Sequence, residues 1–294
     1  MNAQPQALFR IVRPVNLLII VLTQALFIAK GAGWLQHGSA DFLYSLYSIN
    51  PNLLRGQDAL FLIVATIASA AAGNVVNDIE GQAADAVNKP ERRVVGTIIS
   101  VRAAWVLYFA LLAISIGSAW MVDAAFFLFT LAANLLLFFY SSDLKGMPPA
   151  GNLLVALLTA SVVFVSRKGL EDASVLPFSE FAALAFLLNL SREWVKDVDD
   201  MEGDEQAGMR SMAVAYGARN TLKLAALALL FAFVLALALA VFHPGGWMFR
   251  LHLTLASLII LLQAVTLLRS QTAGHSSRNI KLLMLFGLLA VIWV

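Results

Sequence analysis

Asn74-Val-Val-Asn77-Asp78-Ile-Glu80-Gly81-Gln-Ala-Ala-Asp85-Ala-Val-Asn88-Lys89-Pro-Glu-Arg92-Arg93-Val-Val-Gly96 ends an apolar run, turns acidic and then turns basic. Read as a helix continuing out of a membrane, it sets Asn74 four residues before Asp78 and Asp78 seven before Asp85. Asn77, Gly81 and Asp85 also follow a four-residue step. Residues at these spacings share one helical face. A second stretch, Ser191-Arg-Glu193-Trp-Val-Lys196-Asp197-Val-Asp-Asp200-Met-Glu-Gly-Asp204, places Glu193, Asp197, Asp200 and Asp204 on one face in the same way. Two carboxylate stripes at the ends of apolar helices require a shared reason.

The surrounding chain is a membrane protein by composition. Of its 294 residues 60% are hydrophobic and 13% charged, whereas soluble domains are about a quarter charged. The absence of cysteine excludes disulfides, thiolate catalysis and cysteine metal sites. His37, His243, His252 and His275 are scattered without metal-ligand spacing. Net charge is +2, and no basic stripe or motif points to a nucleic-acid partner. Arg10 and Arg13 precede an apolar run over 17–29, as in a signal peptide, but no small-x-small site closes it. It reads as a retained first helix.

A spanning helix needs about 20 mainly apolar residues. Nine segments qualify as candidates: 14–31, 58–77, 101–121, 124–141, 149–167, 176–195, 220–242, 249–269 and 279–294. The expected fold is an all-α polytopic membrane protein, about nine transmembrane helices around a central cavity, with residues 1–294 forming one domain. Residues 41–49 mix apolar and polar side chains on a helical period, as an interfacial helix does. With a cytoplasmic N-terminus, fifteen of the 20 Lys and Arg fall on the cytoplasmic side. That orientation puts both acidic stretches on the cytoplasmic face of a multi-pass protein, expected in the inner membrane of the cell, with the C-terminus outside.

Acids at the ends of membrane helices are costly and mark functional sites. Asp78, Glu80, Asp85, Glu193, Asp197, Asp199, Asp200, Glu202 and Asp204 would repel one another at a partly dry boundary. A divalent cation relieves that repulsion. Carboxylate and amide oxygens without His or Cys suit Mg²⁺, which completes its shell with water and substrate phosphate. Lys89, Arg92, Arg93, Lys145 and Lys196 are placed to meet the remaining phosphate oxygens. The alternatives are a solvated charged loop, which two separate stripes with adjacent bases disfavour, and a cation-coupled transporter, whose sites sit nearer the midplane.

These residues carry a resemblance. Asn77-Asp78, Asp85, Asn88-Lys-Pro-Glu-Arg-Arg93 and Gly96 resemble the first aspartate-rich motif of the UbiA family of intramembrane prenyltransferases. That family's pattern is Asn-Asp-x-x-Asp-x-x-x-Asp followed by an Arg-Pro-x-Arg-Pro-like turn. Lys196-Asp-Val-Asp-Asp-Met-Glu-Gly-Asp204 with Gly208-Met-Arg-Ser211 resembles the second motif, and Tyr140-Ser-Ser-Asp-Leu-Lys145 the segment between them. The resemblance implies Mg²⁺ bridging an isoprenyl diphosphate to both motifs, followed by transfer of the prenyl group to a lipophilic acceptor. By motif position, Asp78, Asp85, Asp200 and Asp204 are the catalytic acids. The implied metal ligands are Asn77, Asp78, Asp85, Asp197, Asp200 and Asp204. Asn77, Arg92, Lys145 and Lys196 are the diphosphate contacts.

One departure stands out: Gly81 replaces the middle aspartate, with Glu80 beside it as a substitute ligand if the helix kinks there. The Glu-Gly-Asp of the second motif and the Asn-Lys-Pro turn resemble the branch that alkylates a prenylglyceryl phosphate with a geranylgeranyl group, in membrane lipid biosynthesis. An aromatic quinone precursor as acceptor, or a degenerate binder of prenyl lipids that does no chemistry, are the alternatives.

Overall fold

The computed structural model of the chain describes Ala7 and residues 9–31, 56–168, 176–269 and 273–294. Twelve helices carry these residues: α1 (Pro14–Gly31), α2 (Gly56–Glu80), α3 (Gln82–Asn88), α4 (Val101–Val122), α5 (Ala124–Ser142), α6 (Ala150–Ser166), α7 (Phe178–Asp199), α8 (Met201–Gln206), α9 (Met212–Tyr216), α10 (Ala218–Phe242), α11 (Trp247–Arg269) and α12 (Ser276–Leu288). Short 3₁₀ turns follow at Pro90–Arg92, Leu144–Gly146 and Leu289–Trp293. Among the described residues an isolated bridge, Val95 to Ile99, stands in place of any strand. Helices dominate because a bilayer offers the backbone no water, so each segment must satisfy its own N–H and C=O groups.

Among the described residues, seven helical segments are long and apolar enough to cross a membrane: Pro14–Gly31, Asp58–Glu80, Val101–Val122, Ala124–Ser142, Ala218–Phe242, Trp247–Arg269 and Ser276–Trp293. The two other expected spans fall short for different reasons. Ala150–Ser166 is apolar but has only 17 residues. α7 is long enough, but Arg192, Glu193, Lys196, Asp197 and Asp199 crowd its last two turns. The expected interfacial helix at 41–49 lies outside the described residues.

Contacts group the chain into two units, the first within Met1–Leu22, Gln57–Leu154 and Asp200–Ser211, the second within Thr23–Gly56, Val155–Asp199 and Met212–Val294. In the first, α2 buries Ala72, Val75, Val76 and Ile79 against Val94, Val95, Ile99, Ala104 and Tyr108. Deeper along α2, Ser69 and Ser115 hydroxyls lie 2.6 Å apart, and Asn134 donates to both at 2.9 and 3.1 Å. This buried knot ties α2, α4 and α5 together where apolar side chains alone give helices little reason to associate. Ser100 caps α4 by accepting from Ala103 N–H, and Asp123 caps α5 by accepting from Phe126 N–H.

In the second unit α10 turns a small-residue face inward, with Ala225, Ala226, Ala228, Ala232, Ala236 and Ala240 buried. Small side chains let neighbouring backbones approach closely, and α10 packs on α7 and α11. Phe27 packs on Phe178 and Phe181, with ring centroids 5.0 and 5.5 Å apart.

Candidate active site

α2 runs on past its apolar stretch to Glu80 and then breaks. The break is Gly81, which stands between α2 and α3. Gly81 N–H still bonds Asn77 C=O at 2.9 Å, so the chain turns without losing that bond. A Cβ on Gly81 would lie 2.8 Å from Asn77 O, closer than side chains tolerate. Here the glycine is required by crowding against backbone and not by an unusual dihedral.

Upstream of the break, α2 holds the chain's N-terminal segment. Asn74 donates its amide to Val12 C=O at 3.0 Å, and Arg13 donates to Asp78 Oδ1 at 2.5 Å. Arg13 sits at φ 54°, a left-handed turn immediately before Pro14 starts α1. The two contacts hold a conformation that a non-glycine residue rarely adopts.

Downstream of the break, α3 meets α8. Asn88 donates to Asp200 C=O at 2.8 Å and accepts from Gly203 N–H at 2.9 Å. A Cβ at Gly203 would fall on the Asn88 amide, so the glycine admits this clasp. Lys89 Nζ pairs with Asp200 Oδ1 at 2.5 Å. Gly96, at φ 80°, closes the following turn beside Gln82. The two acidic motifs therefore meet within the first unit, joined residue to residue by Asn88 and Lys89.

A third basic group stands in the same cluster. Lys145 Nζ and Asp85 Oδ2 lie 3.7 and 3.6 Å from where a Cβ at position 81 would be. Lys145 also acts electrostatically on Asp204. Burial pushes the Asp204 carboxyl above the ordinary carboxylate range, and the neighbouring Asp200 adds to the shift. Ser211, Lys145 and Lys89 pull it the other way, although the Ser211 hydroxyl makes no complete hydrogen bond.

The remaining expected site residues fall elsewhere. Asn77 lies at the α2 end beside Asp78, half-buried, and Glu80 is exposed. Arg92 has its backbone in the 3₁₀ turn after Lys89. Asp197 and Lys196 belong to the second unit. There Asp197 Oδ2 accepts from Met212 N–H at 3.1 Å, and Lys196 pairs with Glu193 at 2.7 Å. Two contributors were not assigned from sequence. Asn88 was visible only as part of a motif, and Arg13 reaches Asp78 from 65 residues away. The signal for Arg13 was a cation next to a proline at the mouth of the first helix.

Among the described residues no three acidic or imidazole groups converge as a ready cation cage. The acids form two couples, Asp78 with Asp85 and Asp200 with Asp204, each mutually repelling. Asp78 and Asp200 are directly ion-paired, to Arg13 and Lys89. The donor set is oxygen only, part of it buried and disfavoured as anions, and it fits a hard divalent ion that arrives together with phosphate oxygens.

A multi-pass membrane protein with an acid-and-base cluster at its helix ends is the class these features define. The chain belongs to the UbiA prenyltransferase family, whose model matches residues 15–288. It is 34% identical over 237 residues to the digeranylgeranylglyceryl phosphate synthase of Methanopyrus kandleri, covering 78% of this chain and 83% of that one. Its identity to the enzyme of the same name from Pyrococcus furiosus is 34% over 225 residues, covering 75% and 77%. Among solved structures, a UbiA homologue from Aeropyrum pernix superposes with TM-score 0.70 at 19% identity over 92% of this chain and 96% of that one. One from Archaeoglobus fulgidus, bound to GPP and Mg²⁺, gives 0.60 at 20% over 98% and 100%. These superpositions establish the shared fold.

Proposed function

We propose that the chain is a Mg²⁺-dependent prenyltransferase that moves a prenyl group, geranylgeranyl by the relatives' naming, from its diphosphate to the hydroxyl of a prenylglyceryl phosphate. The observation that carries this reading is the joining of both acidic motifs, through Asn88 and Lys89, beside Lys145. Asp78, Asp85, Asp200 and Asp204 would hold Mg²⁺, which when bound neutralises charge on the leaving diphosphate. Lys89 and Arg13 are positioned to exchange a carboxylate partner for a phosphate oxygen as the substrate arrives, and Lys145 adds positive charge that already acts on Asp204. Preorganised positive charge then stabilises the diphosphate as the allylic carbon–oxygen bond breaks. The acceptor oxygen bonds that carbon, and its proton passes to the released diphosphate. Apolar helices keep water from the electrophile. The Lys and Arg asymmetry supports a cytoplasmic active face.

Gly81 favours a second reading, binding without turnover, because it supplies no ligand atom. The two separate cleanly. Asp78→Asn, Asp200→Asn and Asp204→Asn, or EDTA with the wild type, should each abolish transfer and weaken binding of the prenyl diphosphate. Wild-type protein that binds the prenyl diphosphate with Mg²⁺ and leaves it intact in the presence of acceptor would establish the second reading. Transfer that persists in EDTA would defeat both.

A further inference from the structure

Asp200 stands immediately before α8, where a carboxylate ordinarily folds back to accept an N–H from the first turn of its own helix. It does not do so here. Its side chain makes no cap bond, and its backbone, at φ −100° and ψ 5°, lacks the extended form usual for a capping residue. The third N–H of α8 belongs to Gly203, and Asn88 Oδ1 accepts from it at 2.9 Å. Asn88 Nδ2 also donates to Asp200 C=O at 2.8 Å, on an oxygen that already takes the first bond of α8 from Asp204 N–H at 3.0 Å. A side chain from α3 therefore caps α8 and pins the Asp200 peptide at the same time.

The capping leaves the Asp200 carboxylate free of its own helix, and it reaches Lys89 Nζ at 2.5 Å instead. The other acids of α8 are engaged elsewhere: Glu202 accepts from Gln206 at 3.4 Å, and Asp204 faces Ser211. The fit is close, because a Cβ at Gly203 would fall on the Asn88 amide. An N–H stripped of this amide would draw the carboxylate three residues before it, since a hydrogen bond to a charged group is the stronger replacement.

We infer that Asn88 is a positioning residue: by capping α8 from α3 it holds the Asp200 carboxylate off its own helix and available to Mg²⁺ and the diphosphate. Without the amide, Asp200 turns back onto Gly203 N–H and Lys89 loses its partner. The role rests on the site proposed above for prenyl transfer, yet its first test needs no turnover.

Thermal midpoints in EDTA give that test as a double-mutant comparison. Asn88→Ala should lower the midpoint little in the wild type, because Asp200 takes over the vacant cap. In an Asp200→Ala background nothing takes over, and the same substitution should lower it by about 2 °C or more beyond its effect in the wild type. Equal falls, or a larger fall with Asp200 present, would overturn the assignment, because Asn88 would then only brace the two motifs. A second measurement follows binding of geranylgeranyl diphosphate as Mg²⁺ is raised. Asn88→Ala should need about ten- to a hundredfold more Mg²⁺ for half-maximal binding, the usual loss for a group that orients a metal ligand. Gly203→Ala, which displaces the amide without removing it, should show the same shift. A wild-type Mg²⁺ response in either variant would overturn the assignment. Coupled midpoints in a chain that binds the diphosphate but never transfers the prenyl group would keep the cap and refute the function proposed above.

Discussion

At the scale of single residues, the departure from the family pattern has a structural counterpart. Where the pattern has an aspartate, Gly81 leaves space that Lys145 Nζ and Asp85 Oδ2 approach, while Glu80 is exposed. The sequence displayed the missing carboxylate plainly. It could not display the ammonium that stands there, because Lys145 comes from a distant segment and only the fold brings it close. Glu80→Gln should therefore change the transfer rate by no more than about twofold, whereas Lys145→Met should lower it by about a hundred- to a thousandfold, the usual loss for one electrostatic stabiliser. Helix propensity alone would have Gly81→Ala gain about 1 kcal/mol. The 2.8 Å approach of that Cβ to Asn77 O reverses the sign. Its thermal midpoint should fall, and a rise would show that the break at Gly81 is not set by this contact.

Asp204 gives a pH-dependent expectation at the same scale. Its carboxyl pKa is raised in the folded chain by burial above the ordinary aspartate value of 3.8. The folded state then binds the proton more tightly than the unfolded state. Stability from this group is greatest below about 3.8, declines as pH rises through the folded pKa, and is level above it. In EDTA at neutral pH, Asp204→Asn should thus melt no lower than wild type. With Mg²⁺ added, the wild type should gain stability and the variant should gain less. A variant that melts lower in EDTA would mean that the ionised carboxylate is favoured by its surroundings.

At the scale of helices, the apolar runs were readable to within a few residues because a bilayer demands uninterrupted hydrophobic length. What stayed hidden was how polar groups inside those runs are used. α2 continues to Glu80, beyond the expected 58–77, so Asp78 sits in its last turn. Ser69, Ser115 and Asn134 look incidental in three separate runs, yet they form one buried knot. Asn134→Leu should destabilise the chain by about 1–2 kcal/mol, since it removes bonds among buried groups that have no water to turn to. Unfolding in mixed micelles would measure this. The loss should exceed that of Ser142→Ala, whose hydroxyl is exposed.

At the scale of the whole molecule, composition marked the membrane class and charge asymmetry sets an expected orientation, while the number of spans depends on how α6 and α7 are counted. The chain has no cysteine, so single cysteines report topology without background. Glu91→Cys should resist a membrane-impermeant thiol reagent added from outside, and Gly246→Cys, which lies in open space, should react. The opposite pattern would reverse the orientation. Both acidic motifs, three bases and an oxygen-only donor set converge on one reaction, and product identity tests it most directly. The purified chain in lipid vesicles would be given Mg²⁺, labelled geranylgeranyl diphosphate and a panel of acceptors. Label should move into an ether-linked prenylglyceryl phosphate and should cease to move in EDTA. Label that enters only an aromatic acceptor, or remains on the diphosphate with every acceptor, would contradict the proposed reaction.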